Sequence, residues 1–522
     1  MKLSRKRKFE LFALLVMLNI ILRFQIVSHE IGADSFLMHI MVNSLNEYGY
    51  AKWLLHPLSI FGLYPASYTS TMQFLLSGIS QCTGMEMRWI IFLYCMFIGL
   101  LSMFTAYLMA GEIIGDDMFK LLVAFGFSTS PGVLGYTTWT IPTRGLFVVL
   151  APLVVYLLLK CRTSLKYVPL TFLLVIFLFA THHLFYFLIP TFFAFFFLSI
   201  CFKLRKHINI KIPEKFATFV PITGLIPFIS ITGFLCMFSI PFFTGRFIEH
   251  SRYASIDVSY VRYIGILIIF AISGLGYLIF KRDKDFREWF LLLTLIFLTT
   301  FIYETTYMKW FLPIFAILLA GIGLLNILRT SKKRKIILPV VAIFLLMTVS
   351  FSAYYQFVHF LPESGTSTIN ERYIEESTYK TGRWMKENII NSSAISNDET
   401  FGYRIFAASE IVHLRVPSAL IAQIYGFVSV NVSEFERRKI TEEDFWFGAY
   451  KGPGAVGEGK WAAIHKLRIH PHEYNINYLV ENRRCKGNLY WHHGTYPSKL
   501  LHFAYENDCI YDCGGINIWY LD

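Results

Sequence analysis

One carboxylate and a scatter of basic side chains are the residues whose types and places can do chemistry in this 522-residue chain. Asp34 lies in HEIGADSFLMHIMVNSLNEYGYAKWLLHPLSIFGLYPASY, from His29 to Tyr68, just past the first long apolar run. A carboxylate so placed accepts a proton as a general base, or it caps the helix that follows. No Glu or Gln three residues on completes a capping box. The other candidates punctuate later apolar runs: His56 in the same stretch, Arg144 in TTWTIPTRG, His182 and His183 in FATHHLFYF, and Glu304 and Lys309 in YETTYMKWFLP. Arg23 ends the first run, and Arg246, His250 and Arg252 share another break. Each has a structural alternative, since Arg and Lys snorkel to headgroups or anchor helix ends and a His pair can sit wet in a turn. As a set they suit one kind of step, in which a carboxylate takes a proton from a nucleophile while cations stabilise a departing anion.

The elements that must position these groups are membrane helices. Hydrophobic residues make up 55% of the chain and charged ones only 16%, and the mean hydropathy is +0.50. A bilayer solvates that much Phe and Leu directly, whereas a soluble fold would leave large apolar patches on its surface. Apolar runs from Phe9 and near 87–110, 118–137, 142–160, 166–181, 184–202, 217–240, 262–280, 289–303, 310–329 and 336–354 predict about eleven spans. The N-terminal run follows Lys2, Arg5, Lys6, Arg7 and Lys8 and has no small-residue cleavage pattern, so it reads as a retained helix. The formal charge of +13 gathers in alternate short loops, notably the N-terminus, 160–166, 203–215, 281–287 and 329–335. That bias predicts a cytoplasmic N-terminus, and an odd span count sends the C-terminal part outside. No nucleic-acid motif accompanies the charge, so nucleic acid is not an expected partner.

The expected organisation is therefore a polytopic α-helical membrane body over 1–355 and an extracytoplasmic α/β domain over 356–522. Around Asp34, residues 35–48 predict a helix lying on the membrane, with Leu37, Ile40, Met41, Ser44, Leu45 and Tyr48 on one face, ended by Gly49. In the C-terminal part, ERYIEESTYKTGRWMKENII predicts a helix with Ile374, Ser377, Gly382, Met385 and Ile389 near one face, and AISND and INYLV predict strands. CIYDCGGINIWYL predicts a hairpin turning on 512–515, with Ile516, Ile518 and Tyr520 alternating against Asn517 and Trp519. Asn391-Ser-Ser and Asn431-Val-Ser are glycosylation acceptor triplets if this part is outside. One disulfide among Cys485, Cys509 and Cys513 is permitted there, with the pairing open. Cys95, Cys161, Cys201 and Cys236 belong to spans as apolar packers, and no Cys/His zinc pattern is present.

At the outer face, the carboxylate and the basic groups suit a sugar carried on a polyprenyl phosphate. Its anomeric carbon lies at the membrane surface and its leaving group is anionic. The segments GADSFLMHI and NEYGYAKWLLHPLSIFGLYPASY, with THHLF, MKWFLPIFAILLAG and the closing YDCGGINIWYL, resemble the GT-C superfamily of membrane glycosyltransferases in its archaeal members. That superfamily includes protein mannosyltransferases, aminoarabinose transferases and the catalytic subunit of oligosaccharyltransferase. The resemblance implies a GT-C fold, Asp34 as the first-loop catalytic base, and a polyprenyl (dolichyl) phosphate donor used outside the cell membrane on a glycan, lipid or protein acceptor. Arg144, His182, His183 and Lys309 are then candidates for the phosphate, and Glu304 or His56 for sugar hydroxyls. The sequence departs from the family where Ser35 replaces a second acid after Asp34, and where STSPGVLGYTTWTIPTRG holds no Asp or Glu. The oligosaccharyltransferase Trp-Trp-Asp-Tyr-Gly signature is replaced by the loose DFWFGAY. A lone acid holds a divalent cation poorly, so no metal is expected and no other cofactor is implied. The alternatives are an oligosaccharyltransferase acting on Asn sequons, a lipid-linked sugar transporter or flippase, and a surface receptor or scaffold working through its soluble domain.

Overall fold

Long apolar runs become helices here because each backbone N–H and C=O must find its partner within the segment when lipid offers none. The computed structural model of the chain describes residues 3–24, 27–49, 69–207, 259–302, 307–330, 334–360, 373–389, 393–409, 476–485, 488–491, 494–497 and 507–520. The first nine helices are α1 (Arg5–Arg23), α2 (Ala33–Tyr48), α3 (Thr71–Thr83), α4 (Met87–Ile113), α5 (Asp117–Thr129), α6 (Pro131–Leu134), α7 (Thr143–Cys161), α8 (Val168–Thr181) and α9 (Leu188–His207). Helices Ile268–Phe280, Phe286–Thr299, Met308–Thr330, Arg334–Phe360, Glu376–Asn388 and Glu399–Ser409 follow. Strands β1 (Ser393–Ser396), β2 (Ile476–Asn482), β3 (Asn488–Trp491), β4 (Gly494–Pro497), β5 (Cys509–Asp512) and β6 (Ile516–Tyr520) complete the described elements. The chain divides into two compact units, one of 1–24, 94–138 and 144–359, the other of 25–93, 139–143 and 360–522. A cut at 355/356 assigns 25–93 to the membrane body; the contacts assign it to the unit that holds the C-terminal part.

Six helices among the described residues are long and apolar enough to cross a membrane: Met87–Ile113, Thr143–Cys161, His183–Leu204, Ser259–Phe280, Met308–Arg329 and Ile336–Gln356. The run at 118–137 does not make one. Ser130, forced extended by the proline after it (φ −63°, ψ 142°), ends α5, and only the four-residue α6 follows. The runs at 166–181 and 289–303 give helices of 14 residues each, short of a full span of about 20 residues. The run at 217–240 lies outside the described residues, so six spans stand among the described residues against the eleven expected of the whole chain.

In the first unit, the apolar stretch of Met308–Arg329 is 83% buried and that of Ile336–Gln356 only 17%, so the former is a core helix and the latter a lipid-facing one. Helices Ile268–Phe280 and Met308–Thr330 meet backbone to backbone at Gly274 and Gly323, where an added Cβ would collide with Leu319 O or Phe270 O. Arg23 does not snorkel: it is 1% exposed and donates to Asn19 Oδ1 (2.7 Å), Ser128 O (2.8 Å) and Thr137 Oγ1 (2.9 Å). Neutral acceptors from three segments thus satisfy a buried guanidinium, and Gly99 leaves the room for it. At the start of α5, Asp117 takes Lys8 (3.0 Å) and Lys120 (2.8 Å), tying α1 to α5.

In the second unit a four-stranded sheet runs in the order β1-β2-β6-β5, with β1 parallel to β2 and the other pairs antiparallel. The C-terminal hairpin forms as expected, turning through Gly514 (φ +82°), whose N–H donates to Asp512 Oδ1 at 2.6 Å. Its alternation does not hold: Ile516, Asn517 and Ile518 are all buried, while Tyr520 is exposed. β3 and β4 pair as a separate ribbon. Cys485, Cys509 and Cys513 are free thiols, so the permitted disulfide is absent. Burial first, with Asp398 beside it at 3.8 Å, pushes the Cys485 thiol up to about 12 and leaves it inert.

The core under this sheet joins Met385, Ile389, Phe401, Ile405, Phe406, Val480, Ile516 and Ile518 with Phe36 and Ile40 of α2. The helix expected to lie on the membrane is instead a core helix of this unit: residues 35–45 are all buried. Gln73 of α3 reaches Met38 Sδ at 3.0 Å and Asn43 donates to Ala407 O at 3.4 Å, so α2 is covered by α3 on one side and by Glu399–Ser409 on another.

Candidate functional site

Asp34 stands in the first turn of α2, exposed, while the residues after it are buried. Helix α2 starts at Ala33 with Gly32 as its N-cap (φ +90°, ψ 142°), and no side chain caps it. Asp34 is therefore not the cap that its residue type suggests, although its charge still favours the positive end of the helix dipole. Its backbone is fastened by a strip of the 139–143 segment: Ile31 N–H donates to Trp139 O (2.8 Å), and Ile141 N–H donates to Ser35 Oγ (3.1 Å). Trp139 holds a left-handed backbone (φ 53°), which a bulky side chain adopts only when its surroundings dictate it. Those surroundings are a buried site, 1% exposed, and a stack on Phe92 with centroids 5.5 Å apart. Ser35 is here a structural acceptor.

The basic candidates converge in the first unit. The Arg144 guanidinium lies over Trp310 (4.5 Å to the ring centroid) and over Tyr136 (5.2 Å), two rings that meet edge to face at 6.0 Å. Aromatic faces order a planar guanidinium while its N–H groups bond in plane, the geometry that engages phosphate oxygens in pairs. Lys309 sits over Trp310 (5.0 Å) and Tyr263 (5.6 Å). The rings of His182 and His183 are 4.0 Å apart, and His183 meets Tyr307 at 4.6 Å, which in turn meets Trp310 at 4.7 Å. One continuous cluster thus contains Arg144, His182, His183 and Lys309.

The charge within the cluster differs from a ring of four cations. His182 Nδ1 accepts the Leu184 N–H at 3.0 Å, so its ring is neutral and Nε2 carries the proton. Arg144 and Lys309 supply the charge, and His182 supplies a neutral donor. The chain builds this locally: α8 ends at Thr181, His182 turns extended, and a 3₁₀ segment His183–Phe187 carries the chain into α9.

His56 and Glu304 lie outside the described residues. Tyr136, Tyr263, Tyr307 and Trp310 were not singled out from sequence; the adjacency of Lys309 and Trp310 was the available signal. Glu30 and His39 were also passed over: both are buried, with Glu30 Oε1 2.5 Å from His39 Nδ1. Among the described residues no three His, Cys, Asp or Glu side chains converge to hold a metal ion.

No protein-family model and no curated protein matches the sequence. Solved structures match the fold. The apo oligosaccharyltransferase of Archaeoglobus fulgidus aligns over 92% of this chain and 70% of its own, at 13% identity and a TM-score of 0.56. The archaeal oligosaccharyltransferase AglB from Archaeoglobus fulgidus, in complex with an inhibitory peptide and a dolichol-phosphate, aligns over 92% of this chain and 70% of its own, at 12% identity and a TM-score of 0.52. The arabinofuranosyltransferase AftD from Mycobacteria aligns over 100% of this chain and 40% of its own, at 13% identity and 0.50. A helical membrane body, a short C-terminal sheet and these alignments agree with the resemblance carried by the sequence motifs: the chain has the fold of the GT-C superfamily.

Proposed function

We propose that the protein is a membrane glycosyltransferase that moves a sugar from a polyprenyl phosphate donor to an extracytoplasmic glycan, lipid or protein. The observation that carries this reading is the cluster of Arg144, Lys309, His182 and His183 on a GT-C scaffold, a donor set for one lipid-borne phosphate. AglB, which shares the fold, binds a dolichol-phosphate. In the proposed step the acceptor's nucleophile attacks the anomeric carbon, its proton passes to Asp34, and the bond to the phosphate oxygen breaks with the electron pair leaving on the phosphate. Arg144 and Lys309 stabilise the charge that develops on that oxygen, and His182 Nε2–H donates to it. His56 and Glu304 are assigned to sugar hydroxyls. The N-terminus is cytoplasmic and the sheet-bearing part is outside, following the distribution of Lys and Arg.

The test is transfer by membranes containing the full-length protein, supplied with radiolabelled dolichyl phosphate sugars. Asp34→Asn is expected to lower transfer by about 100-fold or more, the usual contribution of a general base. Full activity of a folded Asp34→Asn protein removes Asp34 from the mechanism. Activity that survives chelation fits a metal-free step, whereas a requirement for Mn²⁺ or Mg²⁺ with an Asn-sequon peptide acceptor favours the oligosaccharyltransferase alternative.

A further inference from the structure

We infer that Glu30 and His39 form a positioning pair that clamps the chain on both sides of Asp34, a role that rests on the assignment of Asp34 as the base. Glu30 lies just before α2 and His39 on its second turn, so their contact at 2.5 Å closes a short loop with Asp34 inside it. Both side chains are buried, Glu30 at 1% and His39 at 7% exposed. The other two polar atoms, Glu30 Oε2 and His39 Nε2, have no hydrogen-bond partner among the described residues, and both side chains line a cavity of about 20 Å³. That volume is enough for one water.

The remaining charged groups around the cavity do not compete for Glu30. Glu86 pairs with Arg88 (3.3 Å) and lies 3.9 Å from Arg383, which also lies 3.9 Å from Glu387, so both guanidiniums face carboxylates other than Glu30. The His29 ring packs on Tyr379 with centroids 4.2 Å apart and closes another side. Burial pushes the Glu30 carboxyl up, but the facing His39 ring and its hydrogen bond outweigh burial and hold it below its ordinary value. An ionised carboxylate is thus kept inside the unit by one ring on α2. Removing either partner leaves the other buried and unpaired, and the cheapest relief is for the Glu30–Gly32 segment to move out to water, taking the first turn of α2 with it. The pair works beside the Trp139 and Ser35 bonds: those set the strip against α2, and the pair sets where along α2 the incoming chain is held.

The experiment compares Glu30→Gln, His39→Asn and their double variant in the full-length protein. Hydrogen exchange by mass spectrometry over residues 27–40 needs no substrate. Each single variant is expected to exchange at least about tenfold faster in 30–36, with 376–388 unchanged, and the double variant no faster than the worse single. Unchanged protection of 30–36 in Glu30→Gln overturns the proposal. If 376–388 opens as well, the exchanged pair Glu30→His with His39→Glu decides: restored protection of 30–36 sustains the clamp, and failure to restore it overturns it. Transfer from dolichyl phosphate sugars gives the second readout. The single variants are expected to lose about tenfold in kcat at unchanged KM, and to have no further effect in the Asp34→Asn background. Full kcat in Glu30→Gln while Asp34→Asn is dead overturns the pair and leaves the base assignment standing; full activity in Asp34→Asn overturns the base assignment itself.

Discussion

At the scale of single residues, the cluster distinguishes chemistry from mere charge. Arg144 is held by two aromatic faces, and a Lys at the same place keeps the charge but loses the plane and the paired N–H geometry. Arg144→Lys is therefore expected to keep the fold and to lower transfer by roughly 10-fold, with Arg144→Gln lower still, measured as kcat/KM in the membrane assay. Equal activity of Arg144→Lys and the parent protein would mean that only net charge matters there. His182 illustrates why residue type alone misleads: the sequence marks it as a potential cation, and a backbone N–H from Leu184 makes it a neutral donor.

At the scale of elements, pairs of helices are joined by groups that respond to solvent conditions. Asp117 at the start of α5 is held by Lys120 on its own helix and by Lys8 of α1, and these bonds bring its carboxyl from 3.8 down to about 2. A depressed carboxylate contributes stability that is complete above its unfolded pKa and is lost as pH falls through the folded one. Lys8 is well exposed, so the contribution is that of a screened pair, under about 1 kcal/mol. Asp117→Asn is expected to lower the thermal midpoint of detergent-solubilised protein by roughly 2 °C at pH 7. The gap to the parent should close as pH falls from 3.8 towards 2. A gap that stays constant across that window would show that the effect is steric rather than ionic.

At the scale of the whole molecule, the unit that carries the C-terminal sheet also owns the helix that carries Asp34. Phe36 is fully buried in the same core as Met385, Phe406 and Ile518. Phe36→Ala is expected to destabilise this unit by about 3–5 kcal/mol, the cost of a large cavity. The readout is loss of exchange protection in residues 393–409 and 476–482, far from position 36 in sequence; protection unchanged there would show that α2 is not part of that core. The same sharing explains why removing 360–522 cannot separate a catalytic body from an external module: the cut would expose Phe36 and Ile40 and free the turn that holds Asp34.

The sequence by itself determined the membrane class, most of the helical runs, the strands at 393–396 and 476–482, the C-terminal hairpin and the helix after Asp34. These are set by neighbours a few positions apart, through apolar periodicity, proline and glycine, and such signals are written locally. It also marked Arg144, His182, His183 and Lys309, because polar groups at the ends of apolar runs stand out. Only the tertiary structure decided that α2 is a core helix and that Arg23 is buried among neutral acceptors. Those outcomes depend on which surfaces meet when segments a hundred or more residues apart pack together, and packing is a property of pairs of elements that no single stretch of sequence contains.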